Sequence, residues 1–120
     1  MIMEAKALKK YIRSSPRKMR LVVDLIRGKK ADEALNILKY TPNTASDDAI
    51  VVLRSAIGNL NHKVSEDGIS FSPNEILVKT VEVNQGPTAK RISPAPMGRA
   101  YRVRKRSNHL TIVVQADDKN

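Results

Sequence analysis

Apolar residues recur at Met19, Val22, Val23 and Ile26, the i, i+3, i+4, i+7 spacing that lines one face of a helix. Ser15-Pro16 stands just ahead of them. A serine hydroxyl can accept from the free N–H groups of a first helical turn, and proline suits the first helical position, so the pair predicts the helix start. Gly28 predicts its stop, because glycine takes positive φ without steric cost. Arg17, Arg20, Asp24 and Arg27 fall on the opposite face, a basic stripe that reads either as solvated surface or as a contact surface. Ala31, Ala34, Leu35 and Leu38 repeat the spacing and predict a second, short helix. It should end at Thr41-Pro42-Asn43, because Pro42 drives Thr41 out of the helical region. Ala49, Val52, Leu53, Ala56, Ile57 and Leu60 form the longest stripe, with Asn43 or Thr44 available as cap. Asp47 and Asp48 at its beginning and His62 and Lys63 near its end match the helix dipole.

Elsewhere the period falls to two. Residues 5–13 alternate loosely and read as a short strand, with Lys6, Lys9, Lys10 and Arg13 as its basic positions. Residues 64–74 read as a polar loop broken by Gly68 and Pro73. Residues 76–83 are rich in β-branched side chains and predict a strand that leaves through Gln85-Gly86-Pro87. Leu110, Ile112 and Val114 alternate with Thr111 and Val113 in a further strand, and residues 117–120 read as a frayed tail. A strand, three helices and then strands predict an α+β fold, with the helices on one face of a small antiparallel sheet. A chain of 120 residues suits a single domain.

Charge changes this picture in one place. From residue 83 to residue 116 there is no Asp or Glu, while Lys90, Arg91, Arg99, Arg102, Arg104, Lys105 and Arg106 supply seven of the charges behind a formal net charge of +10. The centre, Pro94-Ala95-Pro96-Met97-Gly98, is a turn cluster. Its flanks, 88–93 and 99–107, are long enough to pair, so residues 86–108 predict a basic hairpin arm projecting on the order of 25–30 Å. Isolated hairpins are marginal in water, and seven like charges repel, so the tip is expected to be mobile until a polyanion surrounds it. Nucleic acid is the partner that fits, because Lys and Arg release the counterions condensed on its phosphates.

Other chemistry is sparse. With no cysteine, disulfides, thiolate metal sites and Cys nucleophiles are excluded. His62 and His109 have no partner at metal-site or nucleophile–base spacing, and no glycine-rich phosphate loop occurs, so neither an enzyme, a metal nor a cofactor is expected. No apolar run approaches the ~20 residues that span a bilayer. The opening MIMEAKALKKYIRSS lacks a signal-peptide core, so the default is a soluble cytoplasmic protein. The aromatics are only Tyr11, Tyr40, Phe71 and Tyr101. Binding is therefore expected through backbone charge and shape, without a stacking platform. A nonspecific nucleic-acid coating protein would share the charge, although a single Pro/Gly-tipped arm suits it less well. A small nuclease would need a carboxylate or histidine cluster that the chain does not display.

The segment GPTAKRISPAPMGRAYRVRKRSNHLTIVV, residues 86–114, resembles the signature of the ribosomal protein L-twenty-two family, whose members sit in the large subunit at the nascent-chain exit tunnel. SPRKMRLVVDLIRGKKADEALNILKYTP, residues 15–42, resembles that family's first two helices, and LRSAIGNLNHK resembles its third. The bacterial branch fits best. The resemblance implies an α+β domain on the outside of the subunit, with a β-hairpin threading through rRNA and its tip forming part of the tunnel wall. Carried over by position, Arg17, Lys18, Lys90, Arg91, Arg99, Arg102, Arg104, Lys105 and Arg106 become rRNA contacts, and Arg13 of the first strand and Arg20 of the basic stripe are expected to join them. Lys90, Arg91, Pro94, Ala95, Pro96, Met97 and Gly98 become the tunnel-lining tip, close to where macrolides bind. The implied partners are large-subunit rRNA, neighbouring ribosomal proteins and the nascent polypeptide, with one copy per ribosome and no membrane. Ala89 is smaller than the family's usual residue, and Pro96-Met97 replaces a more basic pair, which changes the local shape and charge expected at the wall.

Overall fold

The first strand of the chain pairs with the last. In the computed structural model, which describes residues 2–94 and 100–117, β1 (Ile2–Ile12) lies antiparallel to β5 (Asn108–Asp117), and β2 (Ile76–Gln85) lies antiparallel on the other side of β5. The sheet order is β1-β5-β2. Between β1 and β2 run α1 (Pro16–Val23), α2 (Ala31–Tyr40), α3 (Thr44–Ser65) and a 3-10 turn at Pro73–Glu75. Between β2 and β5 run β3 (Ala89–Pro94) and β4 (Ala100–Lys105), which pair only with each other. This is the α+β arrangement that the periodicities predict.

One face of the sheet and the helices' apolar stripes make the core. β5 turns Asn108, Leu110, Ile112, Val114 and Ala116 inward, at strict alternation. Over them lie Met19, Val22 and Val23 of α1, Ala31, Ala34 and Leu38 of α2, and Ala49, Val52, Leu53, Ala56 and Leu60 of α3. α3 packs across β1 and β5, and α1 lies against β2.

Both outer strands change phase, which their sequences do not announce. In β1, Lys9 pairs with Leu110 and Ile12 with Asn108, so one extra residue sits on β1 between them. Ala7 and Ile12 both face the core although they stand five positions apart. Tyr11 makes the bulge by taking φ +59°, the left-handed region that non-glycine residues rarely enter. In β2, Val78 pairs with Val114 and Thr80 with Val113, so Lys79 is the extra residue, and the inward set passes from Ile76 and Val78 to Val81 and Val83.

Three sequence expectations are corrected. α1 stops at Val23 rather than at Gly28. Residues 24–28 instead form turns, held by i+3 bonds such as Leu25 N–H to Val22 O and Ile26 N–H to Val23 O. There Gly28 takes φ +78° and donates to Val78 O, while Val78 N–H donates to Lys29 O. Pairing with the sheet overrides helix propagation, and Ile26 is buried all the same. α3 runs to Ser65, so Val64 is a buried helical residue and not the start of a loop. Asp117 closes β5; the rest of the expected tail lies outside the described residues.

Other local signals hold. Ser15 is the N-cap of α1, its Oγ accepting from Lys18 N–H at 3.3 Å, with Pro16 in the first turn. Asn43 caps α3 through its backbone, and its carbonyl accepts from Ser46 Oγ at 2.5 Å. The radius of gyration is 17.8 Å, against about 13–14 Å for a compact chain of this length. The β3–β4 ladder, extending away from the core, accounts for the excess.

Candidate nucleic-acid interface

The arm leaves the domain at a junction built from close backbone contacts. Gly86 N–H donates to Ser107 O at 3.0 Å, and Ser107 Oγ donates to Pro87 O at 2.7 Å, tying the outgoing chain to the returning one. There is no room for a side chain at 86, since a Cβ there would stand 2.5 Å from Ser107 Oγ. One residue further on, Asn108 is fully buried, and its Nδ2 donates to Ser14 O and Ser14 Oγ, both at 2.8 Å. That pair of bonds fixes the loop between β1 and α1 against the root of the arm. Asn108 Oδ1 is buried with no partner.

Beside this junction the β1 bulge turns Tyr11 outward, leaving it 64% exposed. Tyr11 N–H donates to His109 Nδ1 at 3.0 Å, and the two rings meet edge to face, with centroids 5.0 Å apart and planes at 88°. Tyr11, Arg13, Pro87, Thr88, Lys105, Arg106 and Ser107 line one open cavity of about 620 Å³. Three of the expected rRNA contacts, Arg13, Lys105 and Arg106, therefore converge at the root of the arm although 92 positions separate Arg13 from Lys105 (105 − 13). Among the described residues no carboxylate lines the cavity.

Six residue pairs form the arm ladder, from Ala89↔Lys105 to Pro94↔Ala100. Directly paired residues share a face, so positions 90, 92, 102 and 104 lie on one face and positions 89, 91, 103 and 105 on the other. Cationic residue types therefore occupy both faces, and Lys90 is paired with Arg104, a like-charged cross-strand pair that disfavours the ladder in isolation. Of the expected tip, Lys90, Arg91 and Pro94 belong to β3, while Ala95, Pro96, Met97, Gly98 and Arg99 lie outside the described residues.

The cations of α1 and of the turns after it divide into two groups. Arg17 and Lys18 are exposed in the first turn and do not line the root cavity. Arg20 reaches the sheet instead, its Nη2 donating to Val83 O at 3.0 Å, and Arg27 Nη2 donates to Val81 O at 2.9 Å. β2 is an edge strand, so these two guanidinium groups satisfy carbonyls that would otherwise offer a pairing template. Arg20, expected as an rRNA contact, thus has a bond within the fold as well as an exposed surface. Sequence reasoning missed that role for Arg27 and the place of Tyr11 and His109 beside the arm. The only sequence signal for the latter is a lone tyrosine amid Lys9, Lys10 and Arg13.

Among the described residues no group of three or more His, Asp or Glu is placed to hold a metal, and no helix is long and apolar enough to cross a membrane. Asp48, half of the Asp47-Asp48 pair, forms an ion pair with Lys9 at 3.0 Å.

Comparison with known proteins covers nearly the whole chain. Residues 7–115 match the family model described as ribosomal protein L22p/L17e. A protein of Chlorobaculum tepidum named large ribosomal subunit protein uL22 is 50% identical over 112 residues, which is 93% of this chain and 92% of that protein. Proteins of the same name from Pelotomaculum thermopropionicum and Clostridium novyi are 52% identical over 112 residues and 46% identical over 113, covering 95% and 97% of their own lengths and 93% and 94% of this chain.

Proposed function

Since the chain belongs to the ribosomal protein L22p/L17e family of the large ribosomal subunit, we propose that it binds large-subunit rRNA, holds separate rRNA segments together during assembly, and contributes the tip of its arm to the wall of the nascent-polypeptide exit tunnel. The observation that carries this reading is the placement of cationic positions on both faces of a two-stranded ladder, with Lys90 opposite Arg104. A ladder lying on one RNA surface needs cations on one face only. Cations on both suit an arm enclosed by phosphates, which turn like-charge repulsion into attraction. Recognition is then by phosphate position and shape, because duplex RNA hides its base edges in a deep, narrow groove.

The protein acts as a structural component rather than an enzyme. It works as one copy per subunit in the cytoplasm, with rRNA, neighbouring ribosomal proteins and the emerging chain as partners. Arg13, Arg17, Lys18, Lys90, Arg91, Arg99, Arg102, Arg104, Lys105 and Arg106 neutralise phosphate, and Arg20 does so from the edge of β2. Lys90, Arg91 and residues 94–98 face the tunnel. Sucrose-gradient fractionation of lysate at moderate and at high salt, with immunodetection of this chain, tests the reading. An enclosed arm keeps the protein with the large subunit at high salt. Release at high salt, or spread across all nucleic-acid fractions, would instead indicate simple counterion-driven coating.

A further inference from the structure

We propose that the cavity at the root of the arm holds a single unpaired nucleotide, its base stacked on Tyr11 and its phosphates held by Arg13, Lys105 and Arg106. The proposal rests on the rRNA-binding reading and adds to it a contact that reads base exposure, where the arm itself reads only charge and shape.

Two observations converge on the site, the way Tyr11 is presented and the size and lining of the cavity beside it. Tyr11 is 64% exposed, and the backbone that presents it lies in a region unfavourable to tyrosine, φ +59°. Such a conformation persists only where its surroundings hold it. Here the hold is the bond from Tyr11 N–H to His109 Nδ1, with the edge-to-face ring contact fixing the tyrosine further. The bulge thus produces an outward aromatic ring with few orientations, which lowers the ordering cost of stacking. The cavity of about 620 Å³ has room for a nucleoside and its flanking phosphates. Among the described residues its lining combines one aromatic ring, three cations and the hydroxyls of Thr88 and Ser107, with no carboxylate. An aromatic face for the base and guanidinium or ammonium groups for the phosphates form the general recognition pattern for unstacked nucleotides. An acidic peptide would meet the same cations but would leave the exposed ring without a planar partner.

The test measures 2′-hydroxyl acylation on purified large-subunit rRNA bound by the protein, comparing the parent with Tyr11→Phe, Tyr11→Ala and Tyr11→Gly. Glycine takes positive φ freely, so Tyr11→Gly removes the ring without straining the bulge, and its thermal unfolding shows that the domain is intact. The parent and Tyr11→Phe should suppress acylation at one or two unpaired nucleotides. Tyr11→Ala and Tyr11→Gly should restore it there, with local occupancy falling roughly 5- to 150-fold, the range for loss of one base–aromatic stack. The remainder of the footprint should be unchanged. A Tyr11→Gly footprint identical to the parent's overturns the nucleotide site while leaving rRNA binding intact, and points the cavity toward an acidic protein segment. Absence of any footprint from the parent overturns the rRNA-binding reading itself.

Discussion

Gly86 is where the geometry of the arm is most exposed to a single methyl group. In Gly86→Ala the new Cβ would lie 2.5 Å from Ser107 Oγ, 3.2 Å from His109 Cε1 and 3.3 Å from the Ser107 carbonyl carbon. The hydroxyl can rotate away, but it then gives up its 2.7 Å bond to Pro87 O. Loss of that bond costs about 1 kcal/mol. The tight contacts to the backbone and to the histidine ring add about 1 kcal/mol more, the low end for overpacking, since the site is only half-buried. A destabilisation of about 2 kcal/mol should lower the melting temperature by roughly 6–12 °C in a chain of this size. Ser107→Ala alone should cost about 1 kcal/mol, the hydrogen bond without the clash. In the double variant the methyl meets no hydroxyl, so the combined loss should fall short of the sum of the single losses by about 1 kcal/mol or more, the signature of directly contacting sites. Urea unfolding of the four chains, followed by circular dichroism at one salt concentration, measures all three differences. Strict additivity, or a Gly86→Ala chain as stable as the parent, would refute the claim that the strands of the junction are held this closely.

Four further outcomes can be checked. Asn108→Asp replaces the Nδ2 donor to Ser14 O and Oγ with an acceptor in a fully buried site, and should destabilise by about 3 kcal/mol or more, measured by the same unfolding assay. Arg20→Ala with Arg27→Ala leaves Val83 O and Val81 O without their guanidinium donors; light scattering should show association through the uncovered β2 edge, and a monodisperse double variant would contradict the edge-covering role. Reversing charge at Arg102, Arg104 and Lys105 together should leave the domain folded, reduce the salt dependence of rRNA binding by about three contacts' worth, and impair subunit assembly; a normal subunit yield would count against the arm as an assembly clamp. Deletions within residues 94–98 should change macrolide susceptibility in cells relying on this chain, and unchanged susceptibility across several deletions would argue against a tip in the tunnel.

What the sequence made legible was local. Ser15-Pro16 announced α1 because capping is written in two adjacent residues, and the apolar stripe of α3 announced itself because a long helix repeats its signal many times. The basic arm was legible for the opposite reason: a run of cations without carboxylates has no way to form a core. What stayed hidden depended on pairing between distant segments. The extra residues at Tyr11 and Lys79 are defined only by the partners across from them on β5. The premature end of α1 is set by Gly28 and Lys29 bonding to Val78, far along the chain. Arg20 and Arg27 read as a solvated or contact-making stripe because nothing in their own segment shows that a strand edge lies beside them. The root cavity has the same character, since it joins residues from the end of β1 to residues from both ends of the arm.

The position of β5 also sets an order of events during synthesis. β1 and β2 each bond to β5 and not to each other, so until β5 has been made there is no sheet for the helices to cover. Ile2 must wait for Asp117. Through most of translation the apolar stripes of α1, α2 and α3 have only one another, and contacts this far apart in sequence form slowly. β3 and β4 emerge before the strand that anchors their root, so the basic arm is exposed before the domain behind it can close. An arm held by its polyanion at that stage would keep the ends of β2 and β5 together and shorten the search that β5 must complete.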